Sequence, residues 1–266
     1  MHAEELLKSG DLDGALNALQ DKIRADASNA ALRIFLFQLL CVRGDWKRAI
    51  AQLKVSAELD KSAEAMAQTY REGIICEVYR EKVFAGEKEP LIFGEPQEWC
   101  AMMIEALKVG AAGNAAAAAD IRARAFDAAP AVSGDIDGQP FEWIADADMR
   151  LGPMLEAVVN GRYFWMPFSA IARAVFEPPA DLRDAVWTPA TLTLANGGEI
   201  VALIPTRYAG TATTGSDAEK LARATSWADA GADTFVGTGQ RLLATDQGDT
   251  ALMDVRLLKM AGADDV

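Results

Sequence analysis

GDLDGALNALQDKIRAD at 10–26 and GDWKRAIAQLKVSAELD at 44–60 are two copies of one pattern. Gly10-Asp11 recurs as Gly44-Asp45, 34 residues on, and the register then holds. Ala15 aligns with Ala49, Leu16 with Ile50, Leu19 with Leu53 and Asp26 with Asp60. A Gly-Asp pair suits the turn between two antiparallel helices. The small Ala just beyond it lets the helices approach closely. Leu16, Leu19 and Ile23 return at helical spacing and make one apolar face.

A period of 34 residues is that of tetratricopeptide helix pairs. Working outward, a looser third copy follows at Gly113-Asn114 and Ala118, offset from the first by three periods plus one. Arg122 stands there where the first copy has Leu19, so this copy is degenerate. Between the copies the spacing predicts a long helix over about 62–84, with Met66, Ile74, Ile75 and Val78, and another over about 97–109. The second carries Trp99, Met102, Met103, Ala106 and Leu107. Such residues at helical spacing ordinarily pack a core. Met66, Met102 and Met103 are also the candidate contacts for a partner helix, because a flexible thioether adapts to a helix surface.

The grammar changes near residue 130. AlaAlaPro at 128–130 ends the helical run and SGDIDGQP at 133–140 reads as a linker. Beyond it PheGluTrpIle at 141–144 is a candidate strand. Asn160-Gly161 separates MLEAVV from RYFWMPF, and Asn196-Gly197-Gly198 separates ATLTLA from EIVALIP. Both are hairpin signals; LGPMLEAVV also has helical spacing. Residues 217–224 suggest one short helix, and 240–244 and 252–258 suggest closing strands. The expected fold class is α+β. An all-helical, tetratricopeptide-like part at 1–130 leads through a linker at 131–140 to a small, mainly antiparallel β-rich part at 141–266.

Composition narrows the function. The 266 residues are 51% hydrophobic and 24% charged, enough apolar material for a core. The net charge is −13, with 16 Lys+Arg against 20 Asp+Glu in 1–130 and 10 against 19 in 131–266. An acidic chain repels phosphate backbones and anionic membrane surfaces, so neither nucleic acid nor membrane is an expected partner. It favours a partner segment that carries some Lys or Arg. His2, at the extreme N-terminus, is the only histidine, which disfavours Ser-His-Asp triads, Cys-His pairs and His-ligated zinc. Cys41, Cys76 and Cys100 are odd in number and far apart, as reduced thiols are. No stretch approaches ~18 consecutive apolar residues, and MHAEELLKSG lacks a signal-peptide core. A cytoplasmic location is expected.

Catalytic candidates are few. Asp146 with Asp148, and Asp181 with Asp184, are carboxylate pairs of the kind that hold magnesium or move protons, and a metal-dependent hydrolase is the alternative function they suggest. Asp at strand ends and helix starts is, however, commonly a cap. GlyThrGly at 237–239 lacks the GxGxxG pattern, and Ser169 lacks both a GxSxG context and a base. No catalytic residue, cofactor or metal is therefore expected. The densest feature is 162–187, with six aromatics (Tyr163, Phe164, Trp165, Phe168, Phe176, Trp187) and Arg162, Arg173 and Arg183. Aromatic and Arg residues anchor interfaces, and Trp165 and Arg173 are its candidate partner contacts. Alternation along a strand sends most of the aromatics inward instead.

LLKSGDLDGAL, WIADADMRLGPMLEAVVNGRYFWMPF at 143–168, EPPADLRDAVWTPA at 177–190, LIPTRYAG at 203–210 and the closing DVRLL together resemble the ImpE/SciE/TagJ family of type VI secretion accessory proteins. The resemblance spans nearly the whole chain. It implies a cytoplasmic, non-enzymatic accessory protein of a contractile secretion apparatus. It further implies association with the small subunit of the contractile sheath through a helix near that subunit's N-terminus. It carries over no catalytic residues. A helical repeat of the kind that grips helices agrees with it.

Overall fold

A computed structural model describes residues 2–95 and 97–262. The helical part comprises α1 (Ala3–Ser9), α2 (Leu12–Ala25), α3 (Ala30–Arg43), α4 (Trp46–Leu59) and α5 (Glu64–Phe84). After a short strand, β1 (Leu91–Ile92), it continues with α6 (Glu98–Ala111) and α7 (Ala115–Ala128). The repeat is built by its turns. Gly10, Gly44 and Gly113 all take the left-handed conformation, at φ +85°, +74° and +88°. The next residue returns its N–H five residues back, Asp11 to Leu6 O, Asp45 to Leu40 O and Asn114 to Val109 O. The same Asp or Asn then caps the following helix by accepting from the N–H three residues on, in Gly14, Arg48 and Ala117. A helix stop and a helix start thus need two adjacent residues. Ala15, Ala49 and Ala118 are buried at the crossings that follow.

The rest is β-rich: β2 (Gly134–Ile136), β3 (Gln139–Phe141), β4 (Ile144–Asp146), β5 (Met154–Val159), β6 (Arg162–Pro167), β7 (Ile171–Phe176), β8 (Trp187–Leu194) and β9 (Glu199–Pro205). Two single-turn helices follow, α8 (Thr211–Thr214) and α9 (Asp217–Lys220). The chain closes with β10 (Thr225–Asp229), β11 (Phe235–Gly239), β12 (Leu242–Thr245), β13 (Gly248–Ala251) and β14 (Leu257–Met260). Nine strands form one sheet in the order β1-β6-β5-β9-β8-β7-β14-β2-β3; β13-β12-β4 and β10-β11 form two smaller ones. Every pairing is antiparallel except β1 with β6. Both hairpins stand where Asn-Gly stands: Asn160 and Gly161 have φ +49° and +68°, as a two-residue turn requires.

Several expectations shift. The helical part is not wholly helical, because Leu91 and Ile92 leave it to pair with Phe164 and Trp165. Residues 131–140 are not a linker. Their Gly138, at φ +83°, turns β2 into β3, and β2 pairs with β14 at the sheet edge. The strand expected at 141–144 splits, Phe141 ending β3 and Ile144 beginning β4. The helix at 217–224 stops at Lys220, and Leu252–Asp254 is a 3-10 turn, so the last strand starts at Leu257.

Period-two alternation decides which way β5 and β6 face. Met154 and Val158 of β5, with Tyr163 and Trp165 of β6, meet Cys76, Val83, Trp99, Met103 and Leu107 of the helices. Leu155, Ala157, Val159 and Met166 face the other way, toward a core with Ile144, Leu243 and Leu258. A third cluster joins α1–α5 to Ala185, Val186, Trp187, Leu221 and Ala222. Two of the three apolar clusters therefore draw on both parts of the chain.

Candidate functional site

The five residues singled out as partner contacts do not converge on one surface. Met103 and Trp165 are fully buried in the cluster between the helices and the sheet. They offer no surface to a partner, because both are sealed in the cluster that α5 and α6 form with the β5–β6 face. Met102 is half-buried against that cluster, and Met66 is half-buried at the edge of the helical core. Arg173 is exposed on β7. Of the six aromatics in 162–187, Tyr163, Trp165, Phe168, Phe176 and Trp187 are buried and Phe164 is partly so.

One face of the repeat is already filled. From Leu36 to Val42 every residue of α3 is buried. Trp187 reaches the helices with its ring 5.7 Å from that of Tyr70 and 6.2 Å from that of Trp46. The Arg183 guanidinium lies 4.6 Å over Tyr70. Arg207 donates to Val42 O at 2.8 Å and Lys220 O at 2.6 Å, so its charge sits at the negative end of α3. The β-rich part thus occupies the surface that α3 turns inward.

What stays open is a groove of about 670 Å³ between α4 and α5. Ile50, Leu53 and Ala57 of α4 and Ala67 of α5 form its apolar floor, and Lys54, Glu58, Lys61, Glu64, Gln68 and Arg71 its rim. Ile50, Leu53 and Ala57 recur at i, i+3 and i+7 as one stripe of α4, with Leu53 buried in the helical core and Ile50 and Ala57 half-buried beside it. Lys61 pairs with Glu64 at 2.7 Å and Lys54 with Glu58 at 3.9 Å, while Arg71 forms no ion pair among the described residues. The rim therefore carries one net positive charge. That is opposite in sign to the chain as a whole, and it favours a partner with acidic rather than basic residues at this groove.

The carboxylates weighed as catalytic are each held by donors of this chain. Asp146 accepts from Arg241 Nε at 2.9 Å and Nη2 at 2.5 Å. Asp148 accepts from Arg150 Nε and Nη2 and from Gly237 N at 2.9 Å. Asp184 accepts from Ala180 N and Asp181 N, and Asp181 takes Arg183. They are caps and ion pairs. Burial, helped by the nearby Asp148 charge, lifts the Asp146 pKa to about 6 against the pull of Arg241. Gly237 and Gly239 are packing glycines: a Cβ on Gly237 would lie 2.3 Å from the Tyr208 ring, and one on Gly239 2.0 Å from Ala224 O.

Sequence reasoning missed a buried ionic network at the junction of helix and sheet. Glu156, in the middle of β5, accepts from Arg80 Nε at 2.6 Å and Nη2 at 2.7 Å and from Tyr163 OH. Arg241 approaches it at 3.3 Å and links it to Asp146. Arg80 also pairs with Glu77 at 3.4 Å and donates to Arg207 O at 2.8 Å. The desolvation cost opposes ionisation of every member. Even so, Arg80 and Arg241 hold the Glu156 carboxyl below its usual range. One charge inside the otherwise apolar MLEAVV was the available signal.

Comparison with known proteins follows the same outline. The ImpE protein family pattern matches residues 138–259, and a tetratricopeptide-repeat pattern matches 6–69. The type VI secretion system accessory component TagJ of Pseudomonas aeruginosa is 55% identical over 264 residues, covering 99% of this chain and 92% of that protein. The crystal structure of protein VPA1032 from Vibrio parahaemolyticus matches with a TM-score of 0.88 at 24% identity, over 97% of each chain, a likeness of fold.

Proposed function

The chain belongs to the ImpE/SciE/TagJ family of type VI secretion accessory proteins, and from that premise we propose that it is a non-enzymatic accessory protein that binds an N-terminal helix of the small contractile-sheath subunit, on the cytoplasmic side. The observation that carries this reading is the α4–α5 groove. It has an apolar floor at helical spacing and a charged rim, which is what an amphipathic helix needs. Met66 is half-buried on α5 at the edge of the helical core and is not part of the groove's lining. Met102 and Arg173 lie elsewhere and are at most secondary contacts. The hydrolase alternative has no comparable support, since Asp146, Asp148, Asp181 and Asp184 are engaged by arginines and backbone N–H groups.

The test uses the full chain, because α3 is buried partly by the β-rich part. Isothermal titration with a synthetic peptide of the sheath subunit's N-terminal helix should show saturable one-to-one binding. Ala57→Arg, at a half-buried floor position, should weaken it at least tenfold without changing the melt. Absence of binding by the wild type refutes the partner. Undiminished binding by the variant refutes the groove.

A further inference from the structure

Arg122 is the residue that breaks the repeat, a charge at the position where the first two copies bury Leu19 and Leu53. In the fold it is only 5% exposed. Its one hydrogen bond runs from Nη2 to Thr234 Oγ1, and it forms no ion pair among the described residues. The other buried arginines are matched. Arg80 and Arg241 have carboxylates, and Arg207 has backbone carbonyls. Asp148, the one carboxylate felt by Arg122, is already taken by three donors of Arg150 and by Gly237 N. Burial accordingly pulls the Arg122 pKa down. The guanidinium N–H groups that make no bond are not sealed in the core; they face a cavity that reaches solvent, where an incoming anion can pair with them.

Arg122 lines a half-enclosed cavity of about 240 Å³ between α6, α7 and the β10–β11 hairpin. Phe84, Leu107, Gly110, Ala118 and Val236 supply apolar wall. Arg150 is also at the wall, but its charge is cancelled by Asp148, and its guanidinium stacks 4.9 Å from the Phe84 ring. One uncompensated positive charge at the side of a small apolar chamber is the pattern of a site for an amphipathic monoanion. We propose that this cavity binds a small monocarboxylate with an apolar tail, its carboxylate on Arg122 and its tail against Leu107, Ala118 and Val236. The volume limits the ligand to a short chain. The site lies apart from the α4–α5 groove and stands independently of the sheath partner.

The experiment titrates the full chain with octanoate, and with octan-1-ol as the uncharged counterpart, by calorimetry and by following the Arg122 Nε–H resonance. Octanoate should bind with one site and shift that resonance, and octan-1-ol should bind at least tenfold more weakly. Arg122→Met, which restores an apolar residue, should lower octanoate affinity at least tenfold. Val236→Phe, which fills the chamber without touching the charge, should do the same. Absence of octanoate binding to the wild type overturns the proposal. So does equal binding of the alcohol, or retention of octanoate binding by either variant with native melting.

Discussion

Replacing Glu156 with Leu removes the carboxylate that ties α5 to the sheet. Arg80 loses bonds of 2.6 and 2.7 Å, Arg241 loses an ion pair of 3.3 Å, and Tyr163 loses its acceptor. Breaking a buried pair by deleting one partner costs about 3–5 kcal/mol, because the other charge is stranded. Two guanidiniums are affected here. Arg241 keeps Asp146 at 2.5 Å, however, and Arg80 keeps Glu77 at 3.4 Å and Arg207 O at 2.8 Å. The loss should therefore stay near the top of that range, at ~4–5 kcal/mol. For a chain of this size that is a fall in Tm of roughly 10–20 °C. Urea unfolding should be followed by fluorescence, reporting the buried Trp165 and Trp187, and by far-ultraviolet circular dichroism, reporting the helices. Because the network spans the junction, the two probes should lose structure together. Adding Arg80→Met removes one stranded charge, so the double variant should lose ~1–3 kcal/mol less than the sum of the single ones. A Glu156→Leu protein within ~0.5 kcal/mol of wild type, or strict additivity in the pair, would refute the reasoning.

Ala49→Leu should overpack the crossing of the second repeat and cost ~1–3 kcal/mol by thermal melt, since Ala49 has no exposed surface; an unchanged Tm contradicts that placement. Asp146 has its pKa raised from 3.8 to about 6 in the fold, so between those values the native state keeps a proton that the unfolded chain has released. Wild type should therefore lose stability relative to Asp146→Asn as pH rises from about 4 to about 6, and a difference independent of pH in urea titrations counts against it. Gly237→Ala puts a Cβ into the Tyr208 ring and should cost ~1–3 kcal/mol with a changed near-ultraviolet spectrum; native melting would show that the ring yields freely.

Features decided within a few residues were legible in the chain itself. A left-handed glycine and an Asp or Asn cap act over three to five residues, so the 34-residue period exposed the repeat and even its third, degenerate copy. Asn160-Gly161 likewise set a hairpin through two backbone angles. The stretch 131–140 read as a linker because Gly and Asp mark turns; that the turn joins two paired strands depends on β14, more than a hundred residues away.

The site needed the tertiary structure for the same reason. Met66 and Met103 sit on similar helices with similar neighbours in sequence. One is half-buried at the edge of the helical core and the other is sealed under β5 and β6. The difference is the surface brought opposite each helix. The inward face of α3 could hold a partner by its sequence, but Trp187 and Arg207 fill it from across the chain. Arg122 was visible in the sequence as a break in the pattern, yet whether its charge is satisfied depends on which groups fold around it. Hydrophobic spacing and turn chemistry are local properties and fix which elements form. Burial and charge compensation are sums over everything within a few ångströms, and only the packed fold assembles those neighbours.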